Sequence, residues 1–445
     1  MIFRSLATGL FTALAIACGA ALSALPGHAA VEIQESTSAS GVRAWLVEDH
    51  SIPFVALEIR FRGGASLDRP GKRGAINLMT ALLEEGAGDL DAREFAAAAE
   101  DMASSFSFDV GDDALSVSAR FLTSETAGSV ELLRAALTRP RFDQDAIERV
   151  RQQVLSVIRS DAVDPDEMAR QRFDALAFAG HPYGSSINGT IDSLGALTRD
   201  DLLAAHRDVL ALDRVFVGAA GDITPQELAA LIDDLLGDLP AQGAAMPPVI
   251  TPQIPPGLTV VDFATPQSVA IFGQPGISQS DPDFFAANLL NQVLGGGGFE
   301  SRLMTEVREK RGLTYGVYSY LVSRDLAQTY MGSVRSANDR IAEAIAVIRA
   351  QWAKAATQGI TAQELADAKT FMTGAYPLRF DGNGPIANIM VGMQMLGLPI
   401  DYIATRNDKV RAVTLADVQR VARQLLNPEG LHFVVVGQPE GLYSP

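Results

Sequence analysis

Apolar and polar residues alternate along the stretch around residue 118: Val117, Ala119 and Phe121 fall on one side, Ser116, Ser118 and Arg120 on the other. A two-residue period of this kind predicts a half-buried strand. The same reasoning predicts strands at 43–48, 54–63 and 214–219 and a hairpin over 104–122. Apolar spacings of three and four residues predict helices at 74–85, 91–103, 126–137, 143–160, 166–178, 198–209 and 224–237. Strands gathered early and late with helices between them predict an α+β fold built on an antiparallel or mixed sheet.

The pattern is then repeated. Phe216–Asp222 (FVGAAGD) closes the first half as Phe433–Pro439 (FVVVGQP) closes the second, 217 residues later. Asp143–Val154 (DQDAIERVRQQV) is similar to Thr361–Met372 (TAQELADAKTFM) at an offset of 218. Alternating apolar strands open both halves, at Phe54–Phe61 and Leu258–Phe272. Two copies of this length are tandem domains rather than stacking units of a solenoid. Between them, Leu239–Leu258 holds Pro240, Pro247, Pro248, Pro252, Pro255 and Pro256. Proline at that density favours extended chain and removes backbone donors, as in an interdomain linker.

Composition narrows the function. The 445 residues carry 53 acidic and 36 basic side chains, a formal charge of −17, which repels phosphate backbones and anionic lipid surfaces. Residues 1–29 have one charge, Arg4, then an apolar run from Leu6 to Leu25 and small residues at Gly27 and Ala29. This is the pattern of a signal peptide, suited to cleavage after Ala29 with Ala30 a close second, and it predicts export to the periplasm with no stable membrane association afterwards; the alternatives are an uncleaved N-terminal anchor or a lipid anchor at Cys18 in Ala15-Ile16-Ala17-Cys18. Cys18 is the only cysteine and lies in this leader. If cleavage follows Ala29, the mature chain has no cysteine and so no thiol chemistry.

Two longer stretches carry a family resemblance. Leu294–Val317 (LGGGGFESRLMTEVREKRGLTYGV) combines a glycine run at Gly295, Gly296, Gly297 and Gly298, a helix opening with Ser301-Arg302-Leu303, and Arg308 and Tyr315 seven residues apart. His181-Pro182-Tyr183-Gly184 is followed by Gly189-Thr190. With the order of elements and the duplication, these are similar to peptidase family M16, the pitrilysin, insulinase and mitochondrial processing peptidase family. The resemblance covers essentially everything after the leader. It implies a half-clamshell of two α+β domains: residues 30–239 with a degenerate zinc motif, the linker 240–257, and residues 258–445 with the Arg/Tyr motif.

The family's zinc helix carries His-x-x-Glu-His, whose i, i+4 spacing sets two imidazoles on one face and a Glu as general base for the metal-bound water. Here the equivalent helix is Gly74–Glu85, and the motif falls on Asn77, Thr80 and Ala81. The helix expected to give the third ligand, around Gln153–Arg159, has no carboxylate. His50, His181, His206 and His432 never pair at i, i+4. Glu84 and Glu85, ahead of Gly86 as the expected helix cap, read as solvated. No metal and no other cofactor is therefore expected in this chain, and zinc is expected in a partner.

The resemblance gives Arg308 and Tyr315 the role of binding the substrate carbonyl and stabilising the tetrahedral intermediate, since both are donors and arginine is always charged. A helix predicted over 300–310, capped at Gly312, and a strand starting at Leu313 let the two side chains converge. The glycine run fails the phosphate-loop and dinucleotide patterns and is read as allowing close approach to a peptide. Arg302, Glu306 and Arg311 read as charge pairs on an exposed face. The expected function is thus the non-metal-binding subunit of a heterodimeric zinc metallopeptidase, inactive alone. Its expected partner is an M16-type subunit carrying His-x-x-Glu-His, with a peptide as substrate and no nucleic acid bound. The alternative is a catalytically inert structural or peptide-binding protein of the same fold.

Overall fold

The computed structural model describes residues 32–444, so the leader 1–29 lies outside the described residues. Every predicted strand and helix of the first half is present, with ends shifted by at most four residues. The first sheet has six strands in the order β1-β2-β8-β3-β7-β6: β1 Gln34–Thr37, β2 Arg43–Glu48, β3 Phe54–Arg62, β6 Ser105–Val110, β7 Ala114–Leu122 and β8 Val215–Gly221. A two-stranded hairpin, β4 Gly86–Ala87 and β5 Leu90–Asp91, stands apart. The second sheet runs β9-β13-β10-β12-β11: β9 Gly257–Asp262, β10 Gln267–Pro275, β11 Val317–Ser323, β12 Gln328–Ala337 and β13 His432–Gly437.

Apart from β1, the two sheets have one topology. β2 and β9 each pair parallel with the closing strand of their half, β8 or β13. All the other neighbours are antiparallel. The duplication read from residue offsets is thus a duplication of strand order and direction. Leu258–Phe272, read as one strand, is two, separated by a turn.

Each sheet packs one face on helices of its own half. Val55, Leu57, Ile59 and Phe61 of β3, with Leu115, Val117, Ala119 and Phe121 of β7, build the first core. Phe272, Phe433 and Trp352 build the second. The opposite faces are covered by exchange. Helix Pro165–Ala177, from the first half, lays Ala169, Phe173 and Ala177 on Val269 and Ile271 of β10 and Val434 and Val436 of β13. Helix Asn383–Met395, 218 residues later, lays Met390 and Met393 against Trp45 of β2. Its Gln394 Nε2 donates to the Val217 carbonyl at 2.8 Å.

Two strand glycines permit this closeness. A Cβ on Gly218 would lie 2.7 Å from the Ala387 carbonyl oxygen, and one on Gly273 would lie 2.8 Å from Phe173 Cζ. With both faces covered, β13 has no polar side: all six residues are buried.

The proline-rich stretch 240–256 forms no helix or strand but is tied down along its length. Ile250 N–H donates to Leu326 O (2.9 Å), Gln253 N–H to Ala177 O (2.8 Å), and the Pro255 carbonyl meets His432 Nδ1 (2.7 Å). Among the described residues no helix is long and apolar enough to cross a membrane.

Candidate functional site

The helix holding the degenerate motif is Ala75–Ala81, four residues shorter at its end than predicted. The Leu82 N–H turns back to the Met79 and Thr80 carbonyls, tightening the last turn. Gly86 is not its cap: at φ +113° it opens β4 instead. Glu85 pairs with Arg149, and burial pushes the Glu84 carboxyl up, with Glu85 and Asp109 adding repulsion.

The residues at the motif positions are all engaged in ways that leave nothing for a metal. Asn77 Nδ2 donates to Asn188 Oδ1 at 2.9 Å. Thr80 is buried and its hydroxyl donates to the Ile76 carbonyl at 2.8 Å, satisfying it within its own helix. Ala81 packs on the first core. A carboxamide and a back-bonded hydroxyl are neutral, and neither supplies the imidazole or carboxylate that zinc requires. Among the described residues no group of three His, Cys, Asp or Glu is placed to hold a metal. The histidines are committed separately: His206 to the Leu137 carbonyl, His432 to Thr259, His181 to the Tyr183 N–H, and His50 to Asp222.

The Arg/Tyr segment departs from its predicted form. After a 3₁₀ turn at Gly298–Glu300, the helix is a π-helix over Met304–Glu309, and β11 begins only at Val317. Gly312, at φ +59°, does cap it: its N–H returns to the Arg308 carbonyl at 2.7 Å and that of Leu313 to Val307 at 3.0 Å. Thr314 keeps the next residues out of the sheet. Its hydroxyl accepts from Gly316 N–H (3.0 Å) and meets the Arg335 carbonyl (2.5 Å). Tyr315 therefore sits in a turn before the strand, 87% exposed, rather than on a strand face.

The cations around Arg308 are all paired. Arg302 grips both oxygens of Glu364 at 2.7 Å, while Lys310 and Arg311 share Glu306 at 2.8 and 2.7 Å. Burial would raise the Glu364 carboxyl, but its bonds from Arg302 and Thr361 bring it down to about 2. Among the described residues Arg308 has no ion-pair partner, and its guanidinium lies 4.5 Å over the exposed Phe299 ring. Both Arg308 and Tyr315 thus keep donors free for a ligand, although no hydrogen bond joins them.

The glycine run serves mostly its own segment. A Cβ on Gly295 would come within 2.7 Å of the Ser319 N, so this glycine lets the helix end abut β11, and those on Gly296 and Gly297 would meet Asn291 and Gln292. Gly298 alone of the four, at φ +58°, faces open space.

One polar cluster was not legible in the residue pattern. The turn between β6 and β7 meets the equivalent turn between β11 and β12 where the halves join. Tyr183 donates to Asp113 and accepts from Leu326 N–H at 3.1 Å, and Asp113 accepts from Asp325 N–H at 3.2 Å. Arg324 lies over the Phe178 and Tyr183 rings and 3.7 Å from both Asp112 and Asp174. The His-Pro-Tyr-Gly stretch thus clamps the two halves together.

Asp174 in this cluster is pushed up to about 6, chiefly by burial; Arg324 opposes the shift, Asp112 reinforces it and Arg170 opposes it. The folded state therefore holds this proton more tightly than the unfolded chain does. That contribution is fully present below about pH 4 and is lost as pH rises through 6. Burial shifts Asp113 and Asp325 in the same direction. Denaturant titrations of the wild type and Asp174→Asn at pH 4 and pH 7 should show the wild type losing about 2 kcal/mol relative to the variant on going to pH 7. A constant difference between the two would contradict the assignment.

Residues 43–191 match the family model described as insulinase (peptidase family M16), and residues 196–372 match the one described as peptidase M16 inactive domain. The chain is 27% identical over 390 residues to "Non-peptidase homolog YmxG" of Helicobacter pylori, covering 87% of this chain and 90% of that protein. It is 30% identical over 316 residues to an uncharacterized zinc protease of Mycobacterium leprae, covering 69% and 70%. The crystal structure of a peptidase M16 inactive domain from Pseudomonas fluorescens matches with a TM-score of 0.86 at 27% identity, covering 93% of this chain and 99% of that one. With the same two-domain architecture and family matches in both halves, the chain belongs to peptidase family M16.

Proposed function

We propose that this chain is the metal-free subunit of a periplasmic two-chain M16 peptidase. Arg308 and Tyr315 bind the substrate carbonyl and stabilise the oxyanion of the tetrahedral intermediate, while a partner chain with His-x-x-Glu-His supplies zinc. One observation carries the reading: the metal-side positions are filled by satisfied neutral groups, while Arg308, alone among the neighbouring cations, and Tyr315 keep free donors. A guanidinium and a phenol match the charge that develops on a cleaved peptide's oxygen. Edge strand β6 leaves backbone donors through which a peptide can add as a further strand.

The test is reconstitution with an M16 subunit bearing the zinc motif. The pair is expected to cleave peptides that neither chain cleaves alone, and metal analysis of this chain alone is expected to find well under one zinc per molecule. Stoichiometric zinc, or cleavage by this chain alone, would overturn the proposal. A second reading, a non-catalytic M16-fold protein, is favoured by the name of the Helicobacter pylori relative. It predicts a stable complex whose activity is indifferent to Arg308 and Tyr315.

A further inference from the structure

Helices Phe284–Asn291, Ala362–Gly374, Asn383–Met395 and Tyr402–Ala412 enclose a cleft of about 450 Å³ in the second half. That is the size of a small-ligand site. Its walls include Phe284, Phe371, Tyr376 and Tyr402, and its only charged residues are Arg379 and Arg406. In a chain with 53 acidic against 36 basic side chains, a cavity lined by two guanidiniums and no carboxylate selects for an anion.

The two arginines are arranged differently. Arg406 is fixed: it donates to the Met372 carbonyl at 2.7 Å and to Asn407 Oδ1 at 2.9 Å, and its guanidinium lies 4.5 Å over the Tyr376 ring. Burial disfavours its charge, the two tyrosines oppose that shift, and Arg379 adds repulsion, so an incoming anion would relieve it. Arg379 ends the exposed turn Tyr376–Arg379 at the rim. Phe371, in the wall of the same cleft, is 59% exposed, a large apolar surface left bare.

We infer that this cleft binds the C-terminal carboxylate of a peptide ending in an apolar residue, the carboxylate on Arg379 and Arg406 and the terminal side chain among the aromatic rings. The wall also carries the carboxamides of Gln279, Asn288 and Gln292. These can pair with a peptide's backbone amides, whereas a fatty acid would cover them and leave them unpaired, which costs affinity. The aromatic walls likewise suit an apolar body better than a bare inorganic anion.

Calorimetric titration of the full chain without a partner tests this, with N-acetyl-leucyl-phenylalanine as free acid, the same dipeptide as its C-terminal amide, and octanoate. The acid is expected to bind about tenfold or more tighter than the amide, as loss of a charge-assisted contact implies. Arg379→Gln is expected to weaken the acid about five- to tenfold and leave the amide unchanged, whereas Phe371→Ala should weaken both. Equal affinity for acid and amide, no binding of either, or tighter binding of octanoate would each overturn the assignment. The assay needs neither cleavage nor a partner, so its failure is separate from that of the two-chain reading.

Discussion

Arg308→Ala is expected to lower kcat for peptide cleavage by the reconstituted pair by about 10²–10³-fold, the effect of removing one oxyanion donor from a closed site. Tyr315→Phe removes a neutral donor with the ring kept, and its loss should be smaller, about 10-fold. Among the described residues neither side chain is tied into the fold by an ion pair, and the contact Arg308 makes is its stacking over the exposed Phe299 ring. Tyr315 is 87% exposed in a turn held by Thr314, not by its own side chain. The variants should therefore fold and bind the partner as the wild type does, so that a fall in kcat reports on chemistry. Lys310→Ala, which removes one of the two cations on Glu306 a few residues away, serves as the control and should leave kcat nearly unchanged. Cleavage unaffected by both Arg308→Ala and Tyr315→Phe would leave only the non-catalytic reading.

Phe173→Ala is expected to cost about 3–5 kcal/mol of stability, the range for a fully buried phenylalanine. The side chain comes from the first half but packs on Ile271 and Val434 of the second, with Gly273 of β10 leaving room for its ring. If each half were a self-sufficient domain, the substitution would lower one of two unfolding transitions. Because the halves exchange helices, the whole chain should instead unfold in one transition shifted to lower denaturant. Tryptophan fluorescence can follow this, since Trp45 lies in the first half and Trp352 in the second. Two separated transitions, or a loss under 1 kcal/mol, would contradict the exchange.

Much of the fold was legible because its periodicities are local. The alternation at Val117–Phe121 and the offset between Phe216 and Phe433 needed no tertiary information, and both correspond to real strands. The site was legible in part. The positions at which the family resemblance sets the zinc motif read Asn77, Thr80 and Ala81, none of them an imidazole or a carboxylate, and Gly312 announced the end of its helix. The start of β11 was misplaced by four residues because Thr314, an ordinary strand former, spends its hydroxyl on the Gly316 N–H and Arg335 carbonyl. No local pattern distinguishes that use from a ladder position.

The π-helical turn at Met304–Glu309 was equally hidden, since its apolar spacing differs from that of an α-helix by one residue. The junction of Tyr183, Asp113 and Asp325 joins residues up to 212 positions apart. In the sequence only the Tyr183 stretch stands out, as part of the family resemblance, and nothing local marks it as a clamp. The exchange of helices is a property of the duplicated pair and leaves no trace in either copy alone.

The exchange also fixes the order in which the polypeptide can mature. When the ribosome has released the first half, its sheet still lacks the cover that residues 383–395 provide. Trp45 and the strand backbones beside Gly218 stay bare until nearly nine-tenths of the chain has been made. The first half can assemble its own core during synthesis but not its finished form. Until the late helix arrives, a holding chaperone has a defined surface to protect, and severing the chain between the halves would yield fragments that complete each other only by reassociation.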